Sequence, residues 1–228
     1  MKLPEPVQRS IRGGRWNSLP GTLEEIKTIQ LLFEKNRKPV TVIKERAATE
    51  ESLKQLSGHS PGILHLATHG FSLPDLTNNR EFRKGNQFSL AENPLLRSGV
   101  ILAGANRVWN GGIPLPGKED GIATAYEIAG LDLGNTELVV LSACETALGD
   151  IRGTEGVFGL QRAFKLAGVK QMILSLWQVP DRETAELMSL FYTHKLQGKS
   201  SAAAFNMAQL EMRKKYPVYY WAAFTLME

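Results

Sequence analysis

Two residues in this sequence carry chemistry in settings that suit it. His69 follows the run Ile63-Leu-His-Leu-Ala67, and Cys144 follows Glu137-Leu-Val-Val-Leu141. A cysteine nucleophile acts as its thiolate, and a nearby histidine supplies a base or an imidazolium partner. Both runs are short and rich in apolar residues, and they read as strands buried on both faces, the pattern of a parallel sheet covered by helices. In open α/β sheets, sites form beyond the carboxyl ends of the strands. Neighbouring strands lie about 4.8 Å apart, so adjacent placement would let imidazole and thiol approach. On the residues alone a second reading stays open. Cysteine is among the most buried residue types, and a histidine at a strand end can simply bond a loop carbonyl.

The elements that must position this pair alternate along the chain. Residues 1–18, rich in Pro, Gly and Arg, read as an irregular lead-in, and 19–228 as one domain. Thr22 and Glu25 form a capping box for a helix carrying Leu23, Ile26, Ile29 and Phe33. Strands are expected at 39–43, 63–67, 99–103, 137–141, 172–176 and 219–226. Further helices are expected after Thr49, after Asp120, over 155–167, from Asp181 to about Leu196, and over 201–214. The polar stretch 72–94 reads as a long loop, a kind that is usually functional or mobile. The alternation implies an α/β sheet packed on both faces.

Composition narrows the function. Of 228 residues, 43% are hydrophobic, enough for a sizeable core. The net charge of +4 is spread along the chain. Arg213-Lys214-Lys215 reads as the solvated end of a helix, so no nucleic-acid partner is expected. The single cysteine excludes an internal disulfide and suits a reducing compartment, so a cytoplasmic protein is expected. No apolar run reaches the roughly 18 residues of a membrane span. His59, His65 and His194 lack metal-ligand spacing with Cys144, so neither a metal nor a cofactor is expected. Gly153, Gly156 and Gly159 lack a phosphate-binding lysine and read as close helix–sheet packing. Trp177 and Trp221 read as core or pocket-wall residues. Glu145 would raise the pKa of the neighbouring thiol and is expected to bond loop backbone.

The segments His65-Leu-Ala-Thr-His69-Gly-Phe71 and Leu141-Ser-Ala-Cys-Glu-Thr146 with Gly149 resemble the histidine and cysteine motifs of the CHAT domain family. These are caspase-like domains commonly found with tetratricopeptide repeats. Other blocks follow in family order: Leu19-Pro-Gly-Thr22 before Glu25, Asp120-Gly121 before Glu127-Ile128, Gly156 to Phe164, Ser175-Leu-Trp177 with Val179 and Asp181, and Trp221-Ala-Ala-Phe224. Together they cover about residues 16–226.

The resemblance implies a three-layer α/β/α caspase-like sandwich with a mostly parallel sheet. The family's usual first strand, ahead of Leu19, has no convincing counterpart here. It also implies Cys144 as nucleophile, His69 as its proton-transfer partner, and an oxyanion hole built from the backbone N–H groups of Gly70 and Cys144. Asp181 is implied as a substrate-binding acid that receives Arg or Lys before the cut bond. The alternative is that it only caps its own helix. The function implied is a cysteine endopeptidase acting on proteins or peptides. The competing expectation is a catalytically silent or partner-activated interaction module, with a regulatory protein or helical-repeat partner. A serine-nucleophile enzyme is disfavoured, because no Gly-x-Ser-x-Gly elbow occurs.

Overall fold

The computed structural model describes residues 15–73, 93–142, 155–177 and 179–228, without the side chains of 155–158. In chain order the elements are α1 (Pro20–Lys35), α2 (Glu50–Lys54), β1 (Ile63–Leu66), β2 (His69–Ser72), β3 (Ser98–Ile101), α3 (Ala105–Trp109), β4 (Ile122–Thr124), α4 (Ala125–Ala129), β5 (Leu138–Leu141), α5 (Glu155–Leu166), β6 (Gln171–Ser175), α6 (Asp181–Leu196), α7 (Ser201–Lys215), α8 (Val218–Trp221) and β7 (Phe224–Met227). Single 3-10 turns occur at Glu45–Ala47 and Pro94–Leu96.

The main sheet has the order β1-β5-β6-β7. β1, β5 and β6 are parallel, and β7 closes one edge antiparallel to β6. Side chains alternate across it. Leu64 and Leu66 of β1, with Val139 and Leu141 of β5, pack toward Leu53, Ile128, Leu160 and Phe164. Ile63 of β1, with Leu138 and Val140 of β5, packs on the other face toward Ile29, Leu187, Phe191 and Phe205. These are the two helical layers of an α/β/α sandwich, as expected. Each fully buried aliphatic or aromatic side chain contributes about 1.5–3 kcal/mol.

Several local expectations change. The 99–103 strand becomes β3, and it leaves the main sheet. It is the middle of a separate antiparallel sheet, β2-β3-β4. β2, which starts at His69 itself, had no signal beyond the run before it. The α5 helix lies against this small sheet. At Gly159 an added Cβ would sit 2.4 Å from the Ser98 hydroxyl, so the close packing read for that glycine holds.

Residues 39–43 join no strand ladder among the described residues, although their β-branched run favours one. The last strand expectation splits into α8 and β7. Asp120 caps no helix. Its Oδ1 accepts from Ile122 N at 2.7 Å, and Thr124 with Glu127 forms the capping box that starts α4. Thr49 does cap α2, accepting from Ser52 N at 3.3 Å.

A charged cluster joins α2 to the β4–α4 turn. Lys54 Nζ lies 2.7 Å from Glu50, 3.1 Å from Glu119 and 3.1 Å from Glu127. Glu50 is 1% exposed and accepts from Gly121 N at 2.9 Å. Burial pushes its carboxyl up to about 7 despite Lys54.

The capping box read at Thr22 is also corrected. Helix α1 begins earlier, at Pro20, and the Thr22 hydroxyl donates back to Leu19 O at 2.7 Å. Glu25 is therefore free to turn inward, where it is 2% exposed.

Candidate functional site

His69 sits where β1 gives way to β2, and the ring is buried at 6% exposure. Its Nε2 is 2.7 Å from the backbone carbonyl of Asn17. A carbonyl only accepts, so Nε2 carries the proton and donates it. Trp16 lies beside the ring, with centroids 5.0 Å apart, and Trp16 in turn meets Trp109 edge-on at 5.0 Å. The Trp16 N–H and carbonyl are both held by Asn106, at 2.7 and 2.9 Å. The segment before α1 is thus fastened to α3, and through its carbonyl it fixes the tilt of the imidazole. Asn17 was invisible in the sequence because its contribution is a main-chain oxygen, which any residue possesses.

Gly70 follows in β2 and is buried. It pairs with Val100 in an antiparallel ladder. Leu73 N donates to Arg97 O at 2.7 Å, which sets the alternation of that ladder. By that alternation Gly70 belongs to a non-hydrogen-bonded pair, and its N–H points away from β3.

Cys144 and Glu145 lie outside the described residues, as do Gly149, Gly153 and residues 74–92 of the expected long loop. The strand leading to Cys144 is described. β1 and β5 are adjacent and parallel, with Leu66 opposite Leu141 in register. His69 stands three residues past Leu66, and Cys144 three residues past Leu141.

Beneath this end of the sheet is a buried polar group that sequence reading did not join together. His65 Nε2 lies 3.0 Å from Glu25 Oε1, and His65 Nδ1 lies 3.0 Å from the Tyr192 hydroxyl. The Ser142 hydroxyl donates to Glu25 Oε2 at 3.3 Å. Burial, then the Glu25 charge, hold the Tyr192 hydroxyl protonated well above its ordinary range. Four elements therefore meet at Glu25, one of them through a serine two residues before Cys144. The signal in the sequence was Glu25 itself, since an acid at an inward helix position needs a buried partner.

Asp181 is the first residue of α6, and the cap position belongs to Pro180, which offers no side-chain cap. The helix-cap reading of Asp181 is thereby corrected. Its Oδ2 accepts from Gly21 N in the first turn of α1 at 3.3 Å, so it ties the starts of two helices together. A Cβ at position 21 would lie 2.1 Å from the Asp181 Cβ, which is why only glycine fits. Trp177 packs at the edge of the α6–α7 layer, and its indole N–H donates to Tyr219 O at 2.9 Å.

Among the described residues, no group of three or more His, Cys, Asp or Glu could hold a metal ion. No helix among them is long and apolar enough to cross a membrane.

Comparison with known proteins agrees with this architecture. The chain is 31% identical over 108 residues to tetratricopeptide repeat protein 28 of Mus musculus, covering 46% of this chain and 4% of that protein. It is 29% identical over 114 residues to tetratricopeptide repeat protein 28 of Homo sapiens, covering 49% of this chain and 4% of that protein. The chain thus corresponds to a small fraction of the length of these relatives. The CHAT domain family matches residues 3–228, nearly the whole chain. With an α/β/α sandwich and a histidine motif placed beside the strand that leads to the cysteine motif, the chain belongs to the caspase-like CHAT domain family.

Proposed function

We propose that this domain is a cysteine endopeptidase acting through Cys144 and His69. The supporting observation is the register of β1 and β5: two residues with complementary chemistry follow paired leucines at equal offsets on adjacent parallel strands. In this reading the thiol proton passes to His69 Nδ1, because Nε2 already donates to Asn17 O. The thiolate attacks the scissile carbonyl, and the developing oxyanion is met by the N–H of Gly70, turned away from β3, and that of Cys144. The imidazolium, stabilised by the Asn17 carbonyl, returns its proton to the leaving amine. Water then hydrolyses the thioester. Asp181 serves as the acid for a basic side chain before the cut bond, in addition to its tie to Gly21.

Labelling with a peptidyl electrophile tests the pair. Label is expected at Cys144 and is expected to vanish in Cys144→Ala and to slow at least tenfold in His69→Ala. Full-rate labelling of His69→Ala would mean an ordinary exposed thiol. Asp181→Asn keeps an acceptor for Gly21 N and removes the charge. It should abolish any preference for Arg or Lys without slowing the label.

A second reading has its own support. The relatives are named for tetratricopeptide repeats, and among the described residues β1 is paired on one side only. A partner-activated module regulated by a helical-repeat protein or segment would fit both. Peptidase activity that rises only when such a segment is supplied would favour it.

A further inference from the structure

Glu25 is an unusual residue to find under a sheet. It is 2% exposed on the inward side of α1. A buried carboxylate, even a paired one, does little for stability compared with an apolar side chain of similar size. Its contacts lead toward the site instead. Oε2 accepts from the Ser142 hydroxyl at 3.3 Å, and Oε1 lies 3.0 Å from His65 Nε2. Ser142 is the first residue past β5, and its N–H donates to Leu66 O of β1 at 3.2 Å. That backbone bond fixes where the chain stands as it leaves the sheet. The carboxylate reaches in from the helical layer and fixes how the chain is turned there. Cys144 is two residues further on, so its Cα stays within about 7 Å of that of Ser142 whatever path the chain takes.

We infer that Glu25 is a positioning residue of the peptidase site, acting through Ser142 on the separation of Cys144 from His69. The inference rests on Cys144 and His69 forming the catalytic pair. The same stretch of chain that carries Glu25 also carries the acceptor for the histidine, since Asn17 O accepts from His69 Nε2 at 2.7 Å. The span between them is stiff. Leu19 O accepts from Thr22 N at 3.2 Å and from the Thr22 hydroxyl at 2.7 Å, and from Pro20 onward the chain is helical. The histidine and the exit from β5 are therefore both held against one rigid piece of chain, in addition to the β1–β5 ladder. Without the carboxylate, the end of β5 keeps its bond to Leu66 and loses its reference to α1. Misplacement of a reacting group by about 1 Å can lower a rate about 100-fold.

Alkylation of Cys144 by iodoacetamide, followed across pH in the full chain, tests this. A thiol paired with an imidazolium reacts as its thiolate well below the free-cysteine value of about 8.5. The midpoint of the rate profile therefore reads the pairing, and a mere loss of stability does not move it. The unmodified sequence is expected to show a lowered midpoint. Glu25→Met and Ser142→Ala break the contact from opposite ends, so either reports if the other does not fold. Each is expected to move the midpoint toward about 8.5 and to slow labelling by a peptidyl electrophile at least tenfold. The double variant should go no further than the single ones, because both act on one contact. Glu25→Gln keeps an acceptor for Ser142 and should hold the midpoint closer to its original value. A lowered midpoint that survives in a folded Glu25→Met or Ser142→Ala variant would overturn the role of Glu25 and leave the catalytic pair standing. A midpoint already at the free-thiol value in the unmodified sequence would overturn the pair, and this inference with it.

Discussion

β5 and β1 are adjacent parallel strands of four residues each, but every residue of β5 is buried and only Leu64 of β1 is. Their sequences do not explain this: Leu-Val-Val-Leu and Ile-Leu-His-Leu are similarly suited to a covered strand. The neighbours explain it. Among the described residues β5 has β1 on one side and β6 on the other, while β1 has β5 alone. A strand's burial is set by the completeness of its surroundings as much as by its own apolarity, so a strand paired on one side stays partly wet. The one polar residue in β1, His65, is tolerated because Glu25 and Tyr192 meet it there.

The difference can be broken by mutation. The largest effect is expected from Leu141→Ala in β5, which should cost about 3–5 kcal/mol by leaving a cavity at a site with no exposure. Leu66→Ala, at the equivalent register position of β1, should cost only about 1–2 kcal/mol because its surroundings already admit water. Chemical denaturation of both variants reads the ratio, and equal losses would mean that β1 is as enclosed as β5. Next is Glu25→Ala, expected to cost about 3 kcal/mol by leaving the Ser142 hydroxyl without its acceptor and His65 without the carboxylate that lies beside it. Glu25→Gln should restore part of that, again by denaturation.

A smaller effect concerns pH. Glu50 holds its proton up to about 7 when folded, against an ordinary value of 4.5. Between these values the folded state binds the proton and the unfolded state does not. This contribution is therefore fully present below about 4.5 and lost as pH rises through about 7, on the order of 2 kcal/mol. Glu50→Gln should flatten that fall in a stability–pH profile. Smallest is Ile43→Ser, at 44% exposure in a segment that joins no ladder among the described residues, which should change stability by no more than about 0.5 kcal/mol.

Much of the sandwich was legible because its signals are local. Apolar runs at 63–67, 137–141 and 172–176 and helical periodicity after Asp181 and Ser200 each fix an element within a few residues. What escaped depends on partners distant in sequence. Nothing in Gly99-Val-Ile-Leu reveals that it pairs with β2 and β4 rather than with the main sheet. The β-branched run at 39–43 reads as a strand because propensity does not record whether a neighbour stands beside it. In the site, His69 was found from its residue type and position. Its orienting partner was not, since a carbonyl leaves no trace in a sequence. Glu25 was assigned to a local cap because its true partners, His65 and Ser142, come from β1 and the end of β5.

The hydrogen bond from His69 to the Asn17 carbonyl has a further consequence. An orienting carboxylate can be deleted by one codon change, whereas a peptide oxygen survives replacement of its own side chain. Asn17→Ala should be silent, and an alanine scan would pass over the acceptor altogether. Sensitivity is displaced to residues that hold the path of that peptide, namely Trp16, Asn106 and Gly21. A mutational map of this domain would therefore put its second ring of intolerance on packing residues with no chemistry of their own.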